Sequence, residues 1–230
     1  MQIRWYGHAA FRLMPETGPV VITDPYTPEG VGYPSIADTA DLVVISSDDD
    51  DAHCRADLIT GRDGAPPAVV NALKVAQAGG TAQAAGLSIR AIEAMEWEFH
   101  PEHAVPGQNA MYRFEMDGVK IAHMGDVGNA LTDRQIAFFE DTDVLLALAG
   151  GYLTIQLPDL MRMIHAARPR IVIPMHFRTL TYRPRNTMWI ESFLAHFRDG
   201  DVDFACAHDV TITAADIPAQ TRVLVMDYLR

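Results

Sequence analysis

The stretch Val43-Val44-Ile45-Ser46-Ser47-Asp48-Asp49-Asp50-Asp51-Ala52-His53 runs from an apolar, β-branched segment directly into four consecutive carboxylates. A short apolar run of this kind is typical of a buried strand. Four adjacent like charges repel one another, so a chain that keeps them together either binds a cation or exposes them on a solvated loop. The stretch therefore predicts a strand that ends in an acidic ligand cluster or in an acidic surface loop.

Two other apolar segments end in side chains that can bind metal ions. A strand predicted over 119–123 leads to Asp126, and a strand over 171–173 leads to His176. Ligands and catalytic groups gather at such strand ends because the strands hold them rigidly while the loops expose them. The end of the 43–45 strand, Asp126 and His176 are therefore the candidate site.

The order of predicted elements gives the fold class. Strands alternate with helices in two successive sets, and no linker or repeat divides the chain. Asp117-Gly118 predicts a hairpin turn, and Thr132 with Gln135 predicts the capping box of a helix. Pro158 predicts the first turn of another helix. We expect one α/β domain over residues 1–230 with two packed sheets.

Composition excludes several classes of function. The chain has 230 residues and a net charge of -12, which disfavours nucleic acid and anionic membranes as partners. Its two cysteines, Cys54 and Cys206, form no disulfide framework, and a reducing cytosol suits them best. No signal peptide or membrane span is evident, so the sequence predicts a cytoplasmic protein.

Five short motifs, in this order along the chain, resemble those of the metallo-β-lactamase superfamily. They are Gly7-His8-Ala9-Ala10-Phe11, Ile22-Thr23-Asp24-Pro25-Tyr26, His123-Met124-Gly125-Asp126-Val127-Gly128, Gly150-Gly151-Tyr152 and Ile173-Pro174-Met175-His176-Phe177. The branch that they are most similar to contains the ascorbate-6-phosphate lactonase-like, zinc-dependent hydrolases. The resemblance implies a four-layer αββα sandwich of two mixed sheets flanked by helices, with one or two metal ions at the edge of the sheets.

The chain departs from this family at the central motif, His-x-His-x-Asp-His. Its ligand positions fall on Ser47, Asp49, Asp51 and Ala52, of which Asp51 alone matches. A further family histidine falls near Glu96, with the following alternatives in a longer loop: His100 and His103. The two remaining family ligands match Asp126 and His176.

The resulting donor set is rich in oxygen, and its one nitrogen donor is His176. It consists of Asp49, Asp51, Glu96, Asp126 and His176. Oxygen ligands suit Mg²⁺ or Mn²⁺ better than zinc. We expect one divalent ion, either Mn, Mg or Zn, with a site that binds no metal as the alternative.

Other polar residues near the motifs have two interpretations each. His53 is either a substitute ligand or a partly exposed histidine at a helix start, whereas His8 and His123 are expected in the core or in hydrogen bonds to the ligands. Asp48 or Asp50 is expected to orient a water molecule. Three residues after His176 either contact an anionic substrate or lie on a solvated loop: Arg178, Tyr182 and Arg183.

The leading functional hypothesis is a metal-dependent hydrolase with an altered, oxygen-rich site that acts on a small ester, lactone or phosphoester. The alternative is a degenerate family member that serves as a binding or scaffold protein without metal. A nuclease is disfavoured because the acidic chain lacks a basic stretch that holds a polyanion. The oligomeric state is left open, and a homo-oligomer is compatible with the sequence.

Overall fold

Two mixed β-sheets form the centre of the computed structural model, which describes residues 1–96 and 108–229. The strands are β1 (Gln2–Gly7), β2 (Ala10–Met14), β3 (Val21–Thr23), β4 (Thr39–Ala40), β5 (Leu42–Ile45), β6 (Thr60–Gly61), β7 (Ala68–Asn71), β8 (Thr81–Ala84), β9 (Leu87–Met95), β10 (Gln108–Met116), β11 (Val119–His123), β12 (Val144–Leu148), β13 (Ile171–Met175), β14 (Val202–Phe204), β15 (Asp209–Thr211) and β16 (Arg222–Val225). The helices are α1 (Pro28–Val31), α2 (Ala72–Gln77), α3 (Asp133–Ala137), α4 (Leu157–Ala167) and α5 (Ile190–Leu194), and 3₁₀ turns cover Ala56–Leu58, Asp199–Asp201 and Ala214–Asp216.

The first sheet has the strand order β15-β1-β2-β3-β5-β7. β1 and β3 are both antiparallel to β2, and β5 is parallel to β3. β1, β3 and β5 therefore run in the same direction and end at one edge of the sheet. The residues that follow them there are His8, Asp24 and the run that begins at Ser46.

The second sheet has the strand order β14-β16-β13-β12-β11-β10-β9-β8. β11, β12 and β13 are mutually parallel neighbours, so they too end at a common edge. The segments that follow them contain Asp126, Gly150-Gly151 and His176. β4 and β6 form a separate two-stranded sheet.

The burial of β5 explains why its sequence is a continuous apolar run. Leu42 and Val44 are fully buried in the larger cluster, which also contains residues of the second sheet such as Leu145. Val43 and Ile45 belong to a second apolar cluster instead. Because side chains alternate along a strand, β5 is buried on both faces.

Local signals in the sequence place several element ends correctly. Asp117 and Gly118 have positive φ angles of 50° and 71° in the β10–β11 hairpin, and the capping box of Thr132 and Gln135 is present at α3. The helix predicted over 188–197 is shorter, because α5 covers Ile190–Leu194. The small-residue segment 74–87, which the sequence leaves unassigned, holds the end of α2 and β8.

The predicted α/β architecture of two packed mixed sheets flanked by helices is confirmed. Among the described residues, no helix has the length and apolar character needed to cross a membrane.

Candidate metal centre

Three residues that directly follow strands have backbone angles that are unusual for residues with side chains. His8 after β1, Asp24 after β3 and His176 after β13 have φ angles of 52°, 36° and 55°. Such conformations carry strain of about 1–3 kcal/mol each, and they are concentrated at functional sites. The backbone turns sharply at each of these residues, where the edges of the two sheets meet, and the three side chains are buried there.

Three imidazoles meet at this edge. His8, His53 and His176 are all buried, and one nitrogen of each lies within 4.8 Å of the others. The Nε2 atoms of His8 and His53 are 3.0 Å apart, and the ring centroids of His8 and His176 are 4.0 Å apart. This grouping brings together residues from the ends of β1, β5 and β13.

Two carboxylates complete the group. Asp126 lies with Oδ1 3.2 Å from His176 Nε2 and with Oδ2 3.6 Å from His53 Nε2. Asp50 Oδ2 lies 3.8 Å from the same His53 nitrogen. His53 Nε2 is therefore the atom around which the other donor atoms gather. We call these five residues the metal-site cluster: His8, Asp50, His53, Asp126 and His176.

Asp24 holds His53 in place. Its Oδ2 lies 2.9 Å from His53 Nδ1. The Ser46 backbone N–H donates to Asp24 Oδ1 at 2.9 Å, and the Ser46 hydroxyl donates to Asp24 Oδ2 at 2.6 Å. Tyr112 also donates to Oδ1, at 3.2 Å. Burial alone would raise the pKa of Asp24, but the nearby His123 and the hydrogen bond with His53 lower it. An ionised Asp24 that accepts from Nδ1–H directs His53 Nε2 into the cluster.

The electrostatics of the cluster favour a bound cation. Burial lowers the pKa of His176 to about 3, with a contribution from His53, and burial next to His176 and His53 lowers the pKa of His8. Burial opposes protonation of His53, but Asp126 and the hydrogen bond with Asp24 raise its pKa to about 10. Burial also raises the pKa of Asp126. In the absence of a metal ion, the charge of a proton on His53 compensates the carboxylates, and a cation among them would supply the same charge.

The residues fit a divalent metal ion. Among the described residues, Asp126 Oδ1 accepts no hydrogen bond although it is buried and faces His176 Nε2. An unsatisfied buried carboxylate oxygen is costly unless a cation or a donor satisfies it. Three imidazole nitrogens and two carboxylates match the ligand types of zinc, manganese and similar ions.

Asp50 is the acid of the run 48–51 whose carboxylate lies beside His53 in the metal-site cluster. The backbone N–H groups of His53 and Cys54 donate to the Asp50 carbonyl oxygen, and this turn directs the Asp50 and His53 side chains inward. The other acids of the run have different contacts: Asp48 lies 3.3 Å from Lys74, Asp49 accepts from Ser47 at 2.8 Å, and Asp51, with a 77% exposed side chain, lies 4.0 Å from Arg55.

The cluster therefore differs from the expected oxygen-rich set with one secure imidazole, because it contains three imidazoles. His53 is fully buried rather than partly exposed, and His8 lies inside the cluster. The sequence did contain a signal for His8, since Gly7-His8 closes a predicted strand in the same way as His176 does. The signal for His53 was its place one residue beyond the family's last motif position.

The remaining ligand candidates lie in the β9–β10 connection. Glu96 is half-buried, and its charge contributes to the raised pKa of Asp126, so it lies near the cluster. His100 and His103 fall outside the described residues. His123 makes hydrogen bonds next to the cluster, as expected: its Nε2 lies 2.9 Å from the Ala9 carbonyl oxygen, and its Nδ1 accepts from the Gly125 N–H.

The three residues expected to contact substrate separate into two groups. Tyr182 is buried, with its ring centroid 5.4 Å from that of His8 and 5.9 Å from that of His176. Arg178 instead stacks on Trp189, with 4.9 Å between its guanidinium carbon and the ring centroid, and Arg183 donates to the carbonyl oxygen of Glu29. Tyr182 is therefore the one of the three that the described contacts place beside the cluster.

Comparison with known proteins agrees with the fold. The family model described as a beta-lactamase superfamily domain matches residues 2–176. A UPF0173 metal-dependent hydrolase of Archaeoglobus fulgidus is 26% identical over 196 residues, which are 78% of this chain and 84% of the relative. Another, of Alkaliphilus metalliredigens, is 25% identical and covers 91% of this chain and 99% of the relative.

A solved structure from Thermotoga maritima, described as a Zn-dependent hydrolase of the metallo-beta-lactamase superfamily, is also similar. It superimposes with a TM-score of 0.74 at 28% identity and covers 99% of both chains.

Proposed function

The chain belongs to the beta-lactamase superfamily as a metal-dependent hydrolase, and we propose that it cleaves a small ester, lactone or phosphoester at the metal-site cluster. The observation that carries this proposal is the burial of three imidazoles with Asp126 at the edge where both sheets end. Residues that bear the ligands come from the ends of four strands, so the fold itself brings the donor atoms together. We propose one ion, because His53 belongs to both groups of neighbouring donor atoms, His8-His53-His176 and Asp50-His53-Asp126.

The chemistry at this edge follows from the types of residue present. A divalent ion, when bound, would polarise the scissile bond and lower the pKa of a water molecule. His8, His53, His176 and Asp126 would hold it, with Asp24 fixing the tautomer and the orientation of His53. Manganese or zinc suits this mixed set of nitrogen and oxygen donors better than magnesium, which prefers oxygen ligands alone.

Two residues of the chain are placed to act on substrate or water. Asp50 is partly exposed, and its Oδ2 lies 3.8 Å from His53 Nε2, so it is positioned to accept a proton from attacking water at the mouth of the cluster. Burial and the charge of Asp126 raise the pKa of Tyr182. Its phenol is protonated at neutral pH, as that of an ordinary tyrosine is, and can donate a hydrogen bond to an oxygen on which negative charge develops.

Elemental analysis of the purified protein tests the proposal. The protein is measured as isolated and after dialysis against zinc, manganese and magnesium in turn. We expect near-stoichiometric retention of one ion, which is lost in Asp126→Ala and kept in Asp51→Ala, because the Asp51 side chain is exposed and lies beside Arg55. Turnover of an ester, lactone or phosphodiester panel is expected to follow metal content.

The outcomes separate the two functional hypotheses. If no ion is retained under any condition, the chain is a degenerate binding or scaffold protein. If Asp51→Ala loses the ion as fully as Asp126→Ala does, the ligands are those at the family's motif positions and not those of the metal-site cluster.

A further inference from the structure

A second polar site lies on the second sheet, away from the metal-site cluster. A cavity of about 230 Å³ is lined by Ser88, Arg90, Arg113, Phe114, Glu115 and Lys120. Lys120 stands near the start of β11, whereas Asp126 follows the end of that strand. The cavity is therefore near the opposite end of the strands from the metal-site cluster.

Two arginines face each other in this cavity. Arg90 of β9 and Arg113 of β10 are directly paired in the antiparallel register. Both guanidinium carbons lie near the same Phe138 ring, at 6.0 and 5.9 Å from its centroid. Like charges that are directly opposed across two strands are destabilising unless an opposite charge compensates them.

Of the acidic groups nearby, Asp141 is paired with Lys120, and its charge also acts on Arg113. Lys120 forms an ion pair with Asp141 and stands opposite Glu115 in the β10–β11 register. Within residues 1–96 and 108–229, neither Arg90 nor Arg113 has a carboxylate within salt-bridge distance. In a chain with a net charge of -12, two adjacent guanidinium groups that form no ion pair with a described residue are a local exception.

Arg113 is held rigidly in this arrangement. Its Nη1 donates to the carbonyl oxygens of Phe138 and Glu140, at 2.7 and 2.9 Å. Burial and the neighbouring Arg90 lower its pKa. The Arg90 guanidinium group makes no hydrogen bond to a described residue, so its donors remain available to a ligand at the cavity.

We propose that Arg90 and Arg113 form a binding site for a small dianion of the phosphate type, either free phosphate or a phosphate monoester. Two guanidinium groups offer paired N–H donors that match phosphate oxygens, and Ser88 adds a hydroxyl at the same cavity. The bound dianion would neutralise the opposed charges and link β9 and β10 to the turn at Phe138. This site is independent of the proposed hydrolase activity.

Isothermal titration calorimetry with inorganic phosphate at constant ionic strength tests this site. We expect saturable binding that Arg90→Gln weakens by about tenfold or more, because a charge-assisted hydrogen bond is lost. Arg62→Gln is the matched control, since Arg62 is an exposed arginine that follows β6 and pairs with Asp41. Arg90→Gln is chosen over an Arg113 variant because Arg113 also supports the fold.

Parallel titrations separate the two sources of the ligand. Tighter binding of glycerol phosphate than of inorganic phosphate would indicate a monoester, and the reverse order would indicate free phosphate. The proposal is overturned if phosphate and glycerol phosphate both fail to saturate the wild-type protein, if Arg90→Gln binds them unchanged, or if Arg62→Gln weakens binding equally. Binding that persists in Arg90→Gln would place the anion at another site, such as the metal-site cluster.

Discussion

His53 Nδ1 lies 2.9 Å from Asp24 Oδ2, and both side chains are completely buried. Asp24 follows β3 and His53 lies eight residues after the end of β5, so the pair joins the ends of two parallel strands. The contact fixes which nitrogen of His53 faces the metal-site cluster. It also explains why a buried aspartate with no direct place among the metal-site ligands is held by Ser46 and Tyr112.

Asp24→Asn is expected to weaken metal binding about 10- to 100-fold, as is usual when a carboxylate that orients a ligand histidine is lost. The amide preserves the volume but removes the charge that favours Nδ1–H of His53. Competition with a chelating dye measures the affinity. Asp203→Asn, an exposed carboxylate on β14 paired with Arg222, serves as the control, and equal affinities in the two variants would contradict the role given to Asp24.

Removal of the metal is expected to lower the melting temperature. An ion present at about a thousand times its Kd adds roughly 4 kcal/mol to the free energy of unfolding. For a chain of this size that corresponds to a shift of about 10 °C. Differential scanning calorimetry before and after exhaustive chelation measures it, and Asp126→Ala should show no comparable shift. A wild-type protein that melts at the same temperature with and without chelator would count against a ligand set built from buried residues.

Tyr182→Phe is expected to reduce kcat/KM by about 10²- to 10³-fold while the metal content stays unchanged, because a hydrogen bond to developing charge is lost. The assay uses whichever ester, lactone or phosphodiester the substrate panel identifies. Elemental analysis of the same preparation separates loss of the phenol from loss of the ion. An unaltered kcat/KM would show that Tyr182 packs against His8 and His176 without acting on substrate.

Gly125→Ala is expected to destabilise the protein by more than Gly118→Ala does. Gly125 has a φ of +61°, and a Cβ there would lie 2.4 Å from Asn109 Oδ1 and 2.6 Å from the Ala110 carbonyl oxygen. Gly118 has a similar φ of +71° but nothing within 4 Å. Both variants incur backbone strain of about 1–3 kcal/mol, and the clash adds to it at Gly125 alone. Urea unfolding measures the difference, and equal values would indicate that the loop preceding Asp126 is free to move.

The sequence by itself determined most of the fold. The apolar runs at 42–45, 144–148 and 171–175 are strands that are buried at every position. Because such strands are buried on both faces, an unbroken apolar run is enough to predict them. The turn at Asp117-Gly118 and the helix cap at Thr132 could also be predicted from the sequence, since these signals depend on neighbouring residues alone. The sequence also identified Asp126 and His176 as candidates, because each follows a strand end.

Only the tertiary structure decided which acid of the 48–51 run faces inward and which histidines join it. Asp48, Asp49, Asp50 and Asp51 are chemically identical, and their direction depends on the turn that the His53 and Cys54 N–H groups close on the Asp50 carbonyl oxygen. His8 and His53 are 45 residues apart, and their 3.0 Å contact exists only because β1 and β5 end at the same sheet edge. A site made from strand ends is fixed by strand order and backbone direction, and these are properties of long-range pairing that no local stretch of sequence encodes.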